Sequence, residues 1–116
     1  MADSLLITKS KSFALEIIKV CNYIKQTKKE TLLTNQLIRS GTSVGANIRE
    51  AFYGHGTADF IAKLQIALKE CSESEYWLEL LCETDSITKT DFDDFQRKCV
   101  ELRRMLVSSV TTLKNK

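Results

Sequence analysis

No proline interrupts the 116 residues, and the four glycines all fall between Gly41 and Gly56. A chain with so few helix breakers favours long helices, because proline costs about 3 kcal/mol and glycine about 1 kcal/mol inside one. The apolar residues keep the matching period. Phe13, Ile17, Val20 and Ile24 recur at steps of three and four, with Ala14, Ile18 and Cys21 widening the stripe, and predict a helix over residues 4–25. Thr27, three residues before Glu30, offers a capping box for a second helix over 28–53. Gly54 and Gly56 stop it, and Thr57 is the expected cap of a third helix over 58–83 with Phe60, Leu64, Ala67, Leu68, Cys71, Leu78, Leu81 and Cys82 on its apolar face. Thr88 or Thr90 starts a fourth over 90–114, carrying Phe92, Phe95, Cys99, Leu102, Leu106, Val110 and Leu113. Four amphipathic helices with short connections imply an all-α fold, an antiparallel up-down four-helix bundle forming one domain over 1–116.

The stretch Arg39–Ala51, RSGTSVGANIREA, tests that pattern because it contains two of the glycines. Leu33, Leu37, Gly41, Val44, Ile48 and Ala51 or Phe52 keep one face straight through it, which a phosphate-binding loop would interrupt. A phosphate loop also needs six-residue Gly-to-Lys spacing, and here Gly45 comes one residue early and is followed by Ala46 and Asn47. Gly41 and Gly45 are therefore helix interior, four apart on the face where another helix comes close.

Beside the apolar faces run two polar stripes. Gln36, Arg39, Ser40, Ser43, Asn47 and Glu50 form one on the second helix; Ile66, Glu70, Glu73 and Trp77 form another on the third, well off its core face. A solvated surface accounts for the charges. An aromatic among carboxylates suits a partly buried rim or a subunit contact, in which Arg39 pairs with an acid from Glu50, Glu70 or Glu73, the third-helix acids being favoured.

Composition excludes several classes. An apolar share of 43% with 28% charge is that of a globular chain rather than a disordered one. No apolar run approaches the roughly 18 residues of a membrane span, and the first residues lack a basic leader, so a cytoplasmic location is expected and no membrane contact. Cys21, Cys71, Cys82 and Cys99 form no Cys-x-x-Cys pair and fall on apolar faces, where thiols act as small hydrophobes. A di-metal bundle needs Glu-x-x-His on two helices, whereas the one histidine, His55, sits in a glycine turn. Glu70 and Glu73 lack a nucleophile or cofactor motif to work with, so neither catalysis, metal nor cofactor is expected.

The stretches QLIRSGTSVGANIREA and DFIAKLQIALKECSESEYWLELL resemble the four-helix-bundle proteins encoded in intervening sequences of bacterial large-subunit ribosomal RNA genes, a family that includes accessory variability proteins of diversity-generating retroelements. The matching positions are Arg39, Gly41 to Gly45, Asn47, Glu50, Lys69, Glu70, Glu73, Tyr76, Trp77 and Leu78. The resemblance implies a ring-like homo-oligomer, characteristically a homopentamer. In the retroelement branch it implies a partner role toward a reverse transcriptase and its template RNA; for the intervening-sequence branch it implies no firm activity.

Charge by segment bears on the RNA role. The net charge is +4 over residues 1–29, zero over 30–54, −5 over 55–85 and +3 over 86–116, for a total of +2. Arg97, Lys98, Arg103 and Arg104 lie outside the apolar positions of the fourth helix and are the candidate contacts to structured or ribosomal RNA, by phosphate rather than by base. Retroelement accessory proteins are expected to be more strongly basic, which favours the intervening-sequence branch. The expectation is a non-enzymatic oligomer that binds RNA or a reverse transcriptase–RNA complex. The alternative is a structural protein–protein module whose basic helices pair with the acidic one.

Overall fold

The computed structural model describes the backbone of residues 2–115 and the side chains of residues 5–115, so positions 1 and 116 of the expected unit lie outside it. Among the described residues the chain is all-helical, with α1 Ala2–Lys28, α2 Leu32–Tyr53, α3 Gly56–Glu83 and α4 Lys89–Lys114. At 1.5 Å per residue each helix runs about 33–42 Å, which fills the 48 Å long axis of a body 21 × 20 Å across.

The helix ends depart from expectation in instructive ways. No capping box forms at Thr27, because α1 continues to Lys28 and the Thr27 hydroxyl donates back to the Tyr23 carbonyl at 2.8 Å. Lys29 then takes a left-handed φ of 57°, ending the helix without a glycine. Its proposed partner Glu30 caps α2 alone, accepting from the N–H groups of Leu33 at 2.7 Å and Thr34 at 2.9 Å, so α2 begins at Leu32 rather than at 28.

Thr57 is likewise no cap. Gly56, at φ 79°, already opens α3, and His55 before it makes no side-chain cap. At the far end, Asp85 at φ 59° closes α3. Its N–H reaches the Cys82 carbonyl at 3.1 Å, the Ser86 N–H reaches Leu81 at 2.8 Å, and Ile87 tucks into the core. Of the two expected caps for α4, Thr88 serves, its hydroxyl accepting from the Asp91 N–H at 3.1 Å.

Helix α2 packs most extensively on α3, and of the neighbouring pairs α1 and α4 approach each other least. One buried cluster draws on all four helices, with Phe13, Ile17, Leu37, Ile48, Leu64, Leu78, Leu102 and Leu106 among its largest members. Each such side chain contributes about 1.5–3 kcal/mol by leaving water. Together they make the compact packing of a four-helix bundle. All four thiols are free; Cys21, Cys71 and Cys99 are buried and Cys82 is half-buried. Burial pushes the Cys21 thiol up to about 12, and a hydrogen bond with Cys71, together with burial, pushes Cys99 up as well. No helix among the described residues is long and apolar enough to cross a membrane.

Candidate functional site

The polar stripes of α2 and α3 meet. The Arg39 guanidinium bonds Glu70 Oε2 through Nη1 at 3.3 Å, Glu73 Oε2 through Nη2, and Gln36 Oε1 through Nε at 3.3 Å. The same Glu73 oxygen accepts from Trp77 Nε1 at 3.0 Å. Arg39 is half-exposed, at 51%, but Glu70 is only 14% exposed and Glu73 29%, so the acids are the drier partners. Trp77 does not point away from the core as its helical angle suggests. It is half-buried against the edge of the core and 5.1 Å from the Tyr76 ring, because its indole lies back along the helix toward Glu73.

Asn47 and Glu50 stay outside this network. Asn47 donates to the Ser43 carbonyl of its own helix at 2.9 Å, and Glu50 turns to Lys63 at 3.5 Å. Behind Arg39 lies a pair that sequence reasoning misses: Ser40 and Ser74, hydroxyl to hydroxyl and fully buried. A signal exists for it, since the apolar face of α3 skips from Cys71 to Leu78 and leaves Ser74 at a core position.

The glycines face α1. A Cβ on Gly41 would stand 3.1 Å from Ile17 Cγ2, and one on Gly45 would stand 3.3 Å from Ser10 Oγ. Helices α1 and α2 thus approach closely along that seam.

The four α4 cations do not form one free cluster. Lys98 reaches Glu16 of α1 and, at 2.9 Å, Asp94; Arg103 reaches Glu75 of α3; Arg97 reaches Asp94. They radiate to opposite neighbours because Lys98 and Arg103, five positions apart, lie about 140° apart around the helix. Arg104 alone of the four is exposed without an ion-pair partner among the described residues. The hydrogen bond from Lys98 holds the Asp94 carboxyl below its usual range. Burial works against the charge on Lys98, but its bonds to Glu16 and Asp94 outweigh that and raise its pKa. A second α1–α4 pair, Lys9 with Glu101 at 3.1 Å, completes the seam.

Glu70 and Glu73, the acids considered for proton transfer, are both engaged by Arg39. Among the described residues no group of three His, Cys, Asp or Glu side chains is placed to hold a metal ion.

The sequence profile of the 23S rRNA-intervening sequence protein family matches residues 2–108. A crystal structure of a protein of unknown function from the S23 ribosomal protein family, from Bacteroides thetaiotaomicron, is 42% identical to the chain. The match covers 96% of this chain and 99% of that one, with a TM-score of 0.94. No curated protein matches.

Proposed function

The chain belongs to the 23S rRNA-intervening sequence protein family, and on that premise we propose that it is a non-enzymatic, oligomeric protein that contacts RNA through phosphates. One observation carries the reading. Of the eight exposed cations without an ion-pair partner among the described residues, Lys11, Lys19, Lys28, Lys29 and Arg49 lie on α1, α2 and the turn between them, against Lys69 on α3 and Arg104 and Lys114 on α4, while the exposed unpaired carboxylates are Glu79 and Glu83 late in α3, Asp85 just beyond it and Asp91 on α4. That imbalance makes the α1–α2 side of the bundle the more positive one although the total charge is only +2. The α4 cations add to it less than their number suggests. A phosphate must displace a carboxylate from Arg97, Lys98 or Arg103, and although an exposed pair such as Arg97 with Asp94 is worth only about 0–1 kcal/mol, the Lys98 and Arg103 pairs are partly buried.

The contact pairs support the antiparallel up-down course: Gly41 faces Ile17 while Gly45 faces Ser10, and Lys98 meets Glu16 while Glu101 meets Lys9. A ring-like homopentamer is supported by the family resemblance and by Ile66 and Tyr76, 42% and 53% exposed on α3, with Tyr76 against Trp77 and Ile66 about three turns earlier. Four free thiols suit a reducing compartment, which supports the cytoplasm. A role beside a reverse transcriptase is the weaker branch, since it asks for more positive surface than this chain carries.

The test is a salt titration of fluorescently labelled structured RNA against the wild-type protein. Binding at 50 mM salt that weakens linearly in log salt is expected. No binding at that salt would leave the structural-module reading in its place.

A further inference from the structure

Resting on that RNA reading, we infer that the phosphate-binding site is the groove between α1 and α2, walled by Lys11 and Arg49, rather than the outer face of α4. The groove has a volume of about 340 Å³ and is floored by small side chains, Ser10, Ala14, Thr42, Gly45 and Ala46. It exists because of the glycine seam. With no Cβ at Gly45, α1 and α2 come close enough that one placed there would press on Ser10, and the surface above them stays hollow.

What fills the hollow is decided by charge. Lys11 and Arg49 are both exposed at its rim, neither has an ion-pair partner among the described residues, and no carboxylate lines the groove. The hydroxyls are already committed, Ser10 to the Ile7 carbonyl at 3.2 Å and Thr42 to Ile38 at 2.7 Å, so the two cations are the groups left to recognise a ligand. A guanidinium grips a phosphate with two parallel N–H bonds and an ammonium meets it as a point charge. On α4, by contrast, three of the four cations already hold carboxylates of this chain. With no aromatic in the groove to stack a base, the occupant is the sugar–phosphate backbone of RNA, read without sequence preference. Repetition of the groove around an oligomer multiplies weak contacts into useful affinity.

The experiment compares wild type, Lys11→Gln with Arg49→Gln, and Arg103→Gln with Arg104→Gln in the same salt titration of labelled structured RNA. Melting curves and particle mass are recorded for each. The groove variant is expected to bind at least about tenfold more weakly near 100 mM salt and to lose about 1.5–2 units of log–log slope, one phosphate contact for each cation. The α4 variant is expected to change affinity by less than about threefold. Equal binding by wild type and the groove variant, or a loss confined to the α4 variant, overturns the groove while leaving RNA binding intact. A groove variant that falls apart into smaller particles with unchanged RNA affinity shows a subunit contact instead and overturns it too. Absence of wild-type binding overturns the RNA reading and the groove with it.

Discussion

Ser40 and Ser74 meet hydroxyl to hydroxyl at 2.8 Å across the α2–α3 contact, with neither side chain exposed. Ser74 has a single hydrogen, and the Glu70 carbonyl accepts from it at 2.9 Å. Ser40 must then donate to Ser74, its other acceptor, the Leu37 carbonyl, being a long 3.4 Å away. Ser74→Ala is expected to cost about 1 kcal/mol by leaving Ser40 poorly satisfied, and the Ser40→Ala, Ser74→Ala double variant no more than the single one, because both polar groups are gone. Urea denaturation of the full mutant cycle measures it. Losses that simply add would mean the two hydroxyls do not act as a pair.

The glycine seam makes a contrast of opposite signs. Gly41→Leu drives a large side chain against Ile17, which is fully buried and stiff at Cβ, and is expected to destabilise by about 1–3 kcal/mol. Gly45→Ala meets the Ser10 hydroxyl at 3.3 Å and needs it to shift by only a few tenths of an ångström while keeping its bond to the Ile7 carbonyl, so helix propensity is expected to prevail and stabilise by up to about 1 kcal/mol. Thermal melts of both variants decide. A higher melting temperature for Gly41→Leu would refute the close contact.

Core positions are the most legible part of this chain. Phe13, Ile17, Ile24, Phe95, Cys99, Leu102 and Leu106 all stand on the expected apolar stripes and all are buried, because burial repeats with the helical period. Helix ends are less legible. Lys29 and Asp85 both adopt a left-handed conformation for which glycine is the usual sign, and Glu30 caps α2 from outside the pattern that a threonine suggests. Ion-pair partners are the least legible, since Lys98 and Glu16 are 82 positions apart and only the packing of α1 on α4 brings them together. The pairing of Arg39 with the α3 acids is the exception, because the facing stripes of α2 and α3 can be drawn from angles alone. Of the groove cations, Lys11 gives no sequence signal beyond the basic balance of residues 1–29, and Arg49, in a segment of zero net charge, gives none, as their isolation from carboxylates is a property of the folded surface.

Arg39 serves two partly buried carboxylates, so its loss is expected to exceed that of an ordinary surface arginine. Arg39→Ala should destabilise by about 1–2 kcal/mol, between the values for exposed and for buried pairs. Arg97→Ala, which breaks only a solvated pair with Asp94, should cost less than about 0.5 kcal/mol. Equal losses in denaturation would place Arg39 among solvated side chains.

The thiols carry a prediction about reactivity. With Cys21 pushed up to about 12 by burial, its reactive thiolate is scarce at neutral pH, and Cys99 shifts in the same direction. In the native protein a chromogenic disulfide reagent at pH 8 is expected to label Cys82 readily, with Cys21, Cys71 and Cys99 reacting only after denaturation. Rapid labelling of more than one thiol per chain would show that the core opens freely.

Self-assembly and RNA uptake through phosphates both change particle mass, so one measurement reports on the two at once. Light scattering coupled to size exclusion is run on the protein alone and mixed with a structured RNA, at 50 mM and at 300 mM salt. A particle of about 66 kDa is expected for five chains of 13.2 kDa each, gaining the mass of bound RNA at low salt and releasing it at high salt. A 13.2 kDa monomer at micromolar concentration, or a particle whose mass RNA does not change at either salt, would contradict that expectation.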